Sequence, residues 1–287
     1  MEPTLNDEVR WRRAFARELI AGLPPLPGLR AAVIGGSAAR GYSDAYSDLE
    51  LLLFWESEPD RASRRAIMEA WRADHRLPLG DIGHDSALLV RGVPVDLWQR
   101  TVAEEEEALD RVLRDHSRDL GANAELDTIR TALPLRGEEL VRHWQGCAAA
   151  YPEALALGFL REQLPQFHLR HLGFAAVREN PTAFYHTLTD LHCTLFLVLL
   201  ALNSSYFPTF KWLYRRLDEL PVKPMGTVPR LRRMFQEDPP TAAEQMHALI
   251  LETLDLVEAR CPQFDADVLA WARHGVAQGE ATRVVQP

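Results

Sequence analysis

Residues 33–54 read VIGGSAARGYSDAYSDLELLLF, in which two apolar runs are separated by a turn rich in glycine and serine. The first run ends at Gly35 and Gly36, and it predicts a buried strand that turns sharply where a side chain would be in the way. The second run, residues 49–54, is apolar almost throughout, which is typical of a strand buried on both faces. We therefore expect two core strands joined by a short loop.

The loop between these strands carries groups that suit a phosphate. Gly36 lets the backbone approach a ligand closely, and Ser37 is predicted to cap a helical turn whose free N–H groups attract anions. Arg40 follows three residues later, where its guanidinium could clamp an anion with two hydrogen bonds. The stretch therefore predicts a phosphate-binding turn.

Asp48 and Glu50 stand at the start of the second strand, two residues apart. Because side chains alternate between the faces of a strand, both carboxylates point to the same side. Adjacent carboxylates repel each other unless a cation lies between them, and hard oxygen ligands suit Mg²⁺. The pair therefore predicts a magnesium site that could also meet a triphosphate.

A third carboxylate, Asp96, lies inside a predicted hairpin. Residues 86–90 and 93–98 read as strands joined by the tight turn Arg91-Gly92. If the second of these strands pairs with the strand of Asp48 and Glu50, Asp96 completes an acidic triad, where it holds the metal or accepts a proton. The alternative is a solvent-facing residue on an edge strand.

These residues together resemble the catalytic core of the polymerase-beta-like nucleotidyltransferase superfamily. The pattern consists of Gly36-Ser37, Arg40 and Ser47-Asp48-Leu49-Glu50, with Asp96 on a later strand. Its Asp-x-Glu form is similar to that of the kanamycin nucleotidyltransferase family. The resemblance implies an α+β protein, in which an N-terminal mixed-sheet catalytic domain precedes an α-helical bundle, and it adds Ser47 to the residues that bind the nucleotide.

The activity that the resemblance implies is transfer of a nucleoside monophosphate, with ATP as the expected donor and Mg²⁺ as the cofactor. A hydroxyl of a small molecule accepts the group and pyrophosphate leaves. An aminoglycoside-type antibiotic is the first choice of acceptor, which would make the chain a resistance enzyme, and other antibiotics or metabolites remain open. The alternative is a protein-directed or non-catalytic module, such as an antitoxin-type partner-binding protein.

Residues 205–213, SYFPTFKWL, resemble a signature of a helical domain that follows such cores in bacterial proteins. In the resembling families a lysine of that domain often meets the triphosphate, which assigns this contact to Lys211. The alternative is a surface lysine whose stem covers Phe207 and Trp212. Glu162 is a second candidate for the general base, because a glutamate of the helical domain has this role in the resembling kanamycin nucleotidyltransferase family. Gln166 could occupy the position of that glutamate instead of Glu162. The choice between Asp96 and Glu162 as general base therefore stays open.

The predicted domains are residues 1–130, the catalytic domain, and residues 131–287, the helical substrate-binding domain. In the second domain, helical patterns cover residues 153–178, 181–202, 208–220, 242–260 and 265–274. We expect Asn180 to cap the second of these helices and Thr241 the fourth. We assign no role to His168 and His171, which share a helix face.

The chain of 287 residues has a net charge of −9 and 47% hydrophobic residues. This charge disfavours nucleic acid as a partner, because a polyanion would be repelled over much of the surface. It favours a cationic acceptor instead. The acidic run at residues 104–107 is best explained as the solvated first turn of a helix.

We expect a cytoplasmic protein without a membrane segment. The N-terminus lacks the apolar core of a signal peptide. The longest apolar run, residues 194–202, is too short to span a bilayer, and we expect it to form a buried helix. Three cysteines without metal-like spacing fit a reducing compartment. Dimers occur in the resembling family, so a dimer is possible.

Overall fold

The structure is a computed structural model that describes residues 5–75 and 85–280. Two compact units make up the chain: Met1–Asp115 with Glu125–Ala150, and His116–Ala124 with Tyr151–Pro287. The sequence placed one boundary after residue 130, whereas the chain passes between the units after Asp115, Ala124 and Ala150. A mixed sheet in one unit and helices in both make this an α+β protein, as predicted.

The first unit is built on a sheet of six strands, arranged in the order β3-β4-β5-β2-β1-β6. Its strands are β1 Leu29–Ile34, β2 Leu49–Trp55, β3 Ala73–His75, β4 Asp85–Val90, β5 Val93–Thr101 and β6 Leu133–Arg136. Only β2 and β5 pair in parallel, and the other neighbours are antiparallel. The predicted core strands and the predicted hairpin are therefore present, and residues 133–136 add a strand that the sequence did not predict.

The helices that the structure describes in this part of the chain are α1 Asp7–Ala21, α2 Gly36–Arg40, α3 Arg61–Trp71, α4 Val102–Leu113, α5 Leu120–Thr131 and α6 Glu138–Ala149. The first five residues of α5, 120–124, belong to the second unit and the rest to the first. In β1 and β2 the side chains of residues 31–34 and 51–55 are at most 5% exposed. Phe54 packs edge-to-face on Trp144 of α6, with ring centroids 4.8 Å apart. Both faces of the central strands are thus covered, which explains their continuous apolar sequence.

The second unit is helical in the part of it that the structure describes. Its helices are α7 Glu153–Gln163, α8 Leu169–Val177, α9 Pro181–Leu202, α10 Leu213–Glu219, α11 Thr227–Met234, α12 Pro239–Arg260 and α13 Ala266–Glu280. The single helix predicted for residues 153–178 is wrong, since a 3₁₀ turn at Leu164–Gln166 separates α7 from α8. Pro165 lies in that turn and lacks the N–H that a continuous helix would need.

The predicted helix caps have mixed outcomes. The Asn180 side chain accepts a hydrogen bond from the Ala183 N–H at 3.1 Å, which confirms the cap of α9. The cap predicted at Thr241 is wrong, because α12 begins earlier and Asp238 accepts from the Thr241 N–H at 3.1 Å. Two prolines fill the first positions of α12, where an N–H has no intrahelical partner.

Helix α9 is the one described helix that is long and apolar enough to cross a membrane by length and composition. Of its apolar window, 61% is buried inside the protein, and residues 194–201 are all buried. A helix that is apolar on most sides is expected at the centre of a bundle. This agrees with the prediction of a buried helix.

Candidate functional site

Glu50 and Asp96 are direct neighbours across the parallel pair β2 and β5. The prediction that the strand of Asp96 pairs with the strand of Glu50 is therefore confirmed, and Asp96 does not lie on a sheet edge. On the far side of Asp96 its partner is Ala87 of β4, and beside Glu50 the Gly35 N–H donates to the Glu50 carbonyl at 3.0 Å. A row across the sheet thus places two acids between two of the smallest residues.

The carboxylate of Glu50 lies against the backbone of Gly36. A Cβ atom added at Gly36 would stand 2.0 Å from Glu50 Oε2, and the φ of Gly36 is +54°, in the left-handed region. Only glycine accommodates both the close approach and this conformation without strain. The sequence predicted that Gly36 makes room for a ligand, and in the structure that room admits the Glu50 side chain.

Asp48 immediately precedes β2 and is partly buried. Its Oδ1 atom is buried and has no hydrogen-bond partner in the part of the chain that the structure describes. A buried carboxylate oxygen without a partner is costly. A cation or a ligand donor would satisfy this atom.

The predicted metal ligands are not gathered into a closed cluster. Within residues 5–75 and 85–280, no group of three or more His, Cys, Asp or Glu side chains is arranged to hold a metal ion. The register brings Glu50 and Asp96 together, and Asp48 precedes Glu50 by two residues. The metal site formed by Asp48, Glu50 and Asp96 therefore stays a prediction.

Ser37 does not cap a helix. The N-cap of α2 is Gly35, which has no side chain to offer, and Ser37 lies inside the helical turn. Its hydroxyl is buried and lies 3.1 Å from the hydroxyl of Ser43. The prediction of a Ser37 cap was wrong because the N-cap lies two residues earlier, at Gly35. The observed contact of Ser37 instead joins the two ends of the segment 37–43.

Arg40 has an intramolecular partner. Its Nε donates to Asp127 Oδ2 at 3.0 Å, and its Nη2 donates to Thr128 Oγ1 at 3.2 Å. Arg130 pairs with the other oxygen of Asp127 at 3.0 Å. The side chains of Arg40 and Asp127 are 5% and 0% exposed. The predicted contact of Arg40 with phosphates stays a prediction.

Ser47 holds the loop that leads into β2. Its hydroxyl donates to Asp44 Oδ1 at 3.0 Å and accepts from the Asp44 N–H at 3.0 Å. Its own N–H donates to the Asp44 carbonyl at 3.1 Å. The side chain is 5% exposed. The observed bonds make Ser47 a loop-forming residue, and its predicted contact with the nucleotide stays a prediction.

Arg12 of α1 is a residue of this region that sequence reasoning missed. It is 3% exposed and donates two hydrogen bonds to the carbonyl of Ser47. The signal was present in the sequence, since α1 buries Val9, Arg12, Ala16 and Leu19 at helical spacing. A charged residue at an apolar position of an amphipathic helix indicates a buried partner.

Lys211 lies in the second unit, in a 3₁₀ turn at Phe210–Trp212. Its ammonium stands over the ring of Trp212, 5.6 Å from the centroid. This is a cation–π contact with one of the two rings that the alternative named. The predicted contact with a triphosphate stays a prediction.

Glu162, the second candidate for the general base, accepts a hydrogen bond from Arg118 Nε at 2.6 Å within the second unit. Gln166 lies beside a cavity of about 470 Å³ in the same unit. His168 and His171, to which the sequence assigned no role, also line that cavity. Sequence spacing showed the two histidines on one face, but only packing brings residues of α9 such as Asp190 to the same cavity.

The acidic run of α4 is only partly solvated. Glu104 forms a capping box with Thr101, and Glu106 and Glu107 are exposed, as predicted. Glu105 is 2% exposed, which corrects the prediction for this residue. Burial raises the pKa of Glu105 to about 7, although Arg100 acts in the opposite direction. Charge patterning could not distinguish Glu105 from its neighbours, because helix phase decides which of them faces the sheet.

No protein-family model matches the chain. No curated protein matches it in sequence. Among solved structures, it is similar to a nucleotidyltransferase-like protein from Exiguobacterium sibiricum 255-15, with 15% identity and a TM-score of 0.35. That match covers 94% of this chain and 74% of the other. A likeness of this size carries no argument about activity, which has to be argued from the residues of the site.

Proposed function

We propose that this chain is a nucleotidyltransferase that moves a nucleoside monophosphate from a nucleoside triphosphate to a hydroxyl of a small molecule. The observation that carries the proposal is the register of Glu50 against Asp96 on parallel strands. Two carboxylates in one row, flanked by Gly35 and Ala87, suit a site that binds a cation and leaves room for a ligand.

The donor chemistry of the three acids fits Mg²⁺, which prefers hard oxygen ligands. The buried Asp48 Oδ1, which has no hydrogen-bond partner among the described residues, supports this assignment. In our proposal Asp48, Glu50 and Asp96 hold the ion. When bound, Mg²⁺ would neutralise charge on the triphosphate and on the departing pyrophosphate.

In the proposed reaction, the hydroxyl oxygen of the acceptor forms a bond to the α-phosphorus of the nucleotide. The bond from that phosphorus to the oxygen that bridges to the β-phosphate breaks, and pyrophosphate leaves with the electron pair. Asp96 accepts the hydroxyl proton as general base. The other work of the chain is to align the reacting groups and to stabilise the developing charge.

The donor and the acceptor are argued from resemblance and charge. ATP is the proposed donor because the residues at 36–50 resemble those of enzymes that use it. A net charge of −9 attracts a cationic acceptor, so an aminoglycoside-type antibiotic is our first choice and resistance the expected consequence. The three cysteines are free thiols, which supports a cytoplasmic location.

The test is pyrophosphate release from each nucleoside triphosphate with Mg²⁺ and a panel of aminoglycosides, lincosamides and other hydroxyl-bearing compounds. We expect release with at least one acceptor, and we expect Glu50→Gln to abolish it. Glu56→Gln is the matched control, because Glu56 follows the same strand, is 68% exposed and lies 3.8 Å from Arg30. Release that survives Glu50→Gln would show that the site lies elsewhere.

A second candidate is a protein-directed or non-catalytic module. It is favoured by one observation, namely that the described residues hold no assembled group of three metal-binding side chains. This candidate predicts no pyrophosphate release with any acceptor and no stabilisation by Mg²⁺ with ATP. A melting temperature that rises with Mg²⁺ and ATP together would count against it.

A further inference from the structure

Arg12 holds the peptide that precedes Asp48. Its Nε and Nη2 both donate to the carbonyl oxygen of Ser47, at 3.1 and 2.5 Å. Its Nη1 donates to Glu8 Oε2 at 2.6 Å, one turn earlier in α1. The guanidinium is thus fixed on one side by an ion pair and directs two N–H groups to a single backbone oxygen.

The planarity of the peptide transmits this contact to Asp48. The carbonyl of Ser47 and the N and Cα atoms of Asp48 belong to one planar unit with a high barrier to rotation. Holding the carbonyl oxygen therefore orients the backbone from which the Asp48 side chain departs. The bonds between Ser47 and Asp44 hold the same corner from the other side.

The N-cap residue of α1 and a second arginine of this helix bind the segment before Asp48 at other points. Asn6 Nδ2 donates to the Ser43 carbonyl at 2.9 Å. Arg13 donates to the carbonyls of Ala38 and Ala39 at 2.9 and 2.8 Å. These residues anchor α2 and the middle of the loop, whereas only Arg12 among them binds the peptide next to Asp48.

We propose that Arg12 is a positioning residue that presents the Asp48 carboxylate to a divalent cation. The inference rests on the proposed function, in which Asp48 is one of the residues that hold Mg²⁺. A guanidinium suits the task because its planar fork delivers two bonds in a fixed geometry, which a lysine ammonium does not. Groups that orient a metal ligand typically affect metal affinity or activity by about 10- to 100-fold.

Arg13 offers a matched control on the same helix. Arg13→Met removes two hydrogen bonds to backbone carbonyls of α2 and leaves the Ser47 carbonyl bound. Arg12→Met removes the two bonds to Ser47 and also the bonds of Arg12 to Glu8 within α1. If Arg12 only holds α1 and the loop together, the two variants should bind a divalent cation equally well. Arg12→Lys is the conservative variant, which keeps the charge and can keep a single bond, and it also serves if Arg12→Met does not fold.

The experiment measures two quantities on the full chain: Mn²⁺ affinity by electron paramagnetic resonance, and amide hydrogen exchange of peptides that cover residues 42–54. We expect Arg12→Met to weaken Mn²⁺ binding by about tenfold and to speed exchange in this segment. Arg12→Lys should give an intermediate result. Arg13→Met should leave Mn²⁺ affinity near that of the unmodified chain.

The outcomes separate this inference from the proposed function. Equal Mn²⁺ affinity in Arg12→Met and Arg13→Met overturns the positioning role, even if pyrophosphate is released. Mn²⁺ binding that depends on Arg12 in a chain that releases no pyrophosphate supports the positioning role and counts against the transferase. Failure of the unmodified chain to bind Mn²⁺ overturns the positioning role.

Discussion

Arg40 and Asp127 form an ion pair with 2.8 Å between Nη2 and Oδ2, and their side chains are 5% and 0% exposed. The pair ties the end of α2 to α5, and Arg130 binds the second oxygen of the same carboxylate. The loop with glycine and serine is therefore braced by a buried charge cluster within the first unit.

We expect Asp127→Asn to lower the free energy of unfolding by about 3–5 kcal/mol, because it leaves a buried guanidinium without its counter-charge. Urea denaturation measures this. The control is Glu138→Gln, which breaks the exposed pair with Arg142 and should cost about 1 kcal/mol or less. Similar losses in the two variants would show that burial does not strengthen the Arg40 pair.

Gly36→Ala should displace Glu50, since the added methyl group would overlap its carboxylate at a positive φ. If the chain is a transferase, we expect pyrophosphate release to fall by about 100-fold, as for other misplaced catalytic groups. Gly146→Ala in α6 is the control, because a Cβ there meets no atom within 4 Å. It should stabilise the chain by up to about 1 kcal/mol. Full activity in Gly36→Ala would contradict the close fit of Glu50.

Glu105 should make the first unit less stable as pH rises. Burial raises its pKa to about 7 in the folded chain, against the effect of Arg100 and with that of Glu125. Between about pH 4.5 and 7, the folded state therefore still binds a proton that the unfolded state has lost. The stabilisation that is present below about pH 4.5 is lost as the pH rises through this range. The loss amounts to about 3 kcal/mol.

Urea denaturation between pH 4 and 8 tests this expectation. Glu105→Gln should flatten the fall in stability, because a neutral amide has no proton to lose. Glu106→Gln, at the exposed neighbouring position, should leave the pH dependence unchanged. If the free energy of unfolding of Glu105→Gln falls with pH as steeply as that of the unmodified chain, the Glu105 carboxyl is not the cause of the fall.

His192 should have the opposite effect in the second unit. Burial lowers its pKa to about 4, and its ring packs edge-to-face on Phe235 at 5.0 Å. Between about pH 6.5 and 4 the unfolded state takes up a proton that the folded state refuses, so stability falls as pH falls, by about 3 kcal/mol. His192→Gln should remove most of this acid sensitivity, whereas His186→Gln, at a 78% exposed position, should not.

The strands that carry the candidate site were readable from the order of residues. Asp48 and Glu50 stand at the start of an apolar run, and that local pattern predicted both the strand and a concentration of negative charge. The turn at Arg91-Gly92 likewise predicted the hairpin of Asp96, and both residues have positive φ as such turns require. The break at Pro165 was missed because the apolar period continues on either side of it.

Contacts between distant residues were not readable. Arg40 could bind a phosphate or a carboxylate equally well, and only the packing of α5 brings Asp127 to it, 87 residues later in the chain. The same holds for Arg12 and Ser47, which are 35 residues apart. A guanidinium binds any suitably placed oxygen, so its sequence position does not identify its partner.

Local order along the chain determined which segments become strands and helices, because apolar period, turn residues and caps act over a few neighbouring positions. It also determined that three acids precede or lie within core strands. The tertiary structure decided which of these acids become neighbours, which arginines are buried and which glutamate of the acidic run is buried. These outcomes depend on strand register and helix phase, which are set by packing between segments far apart in the chain.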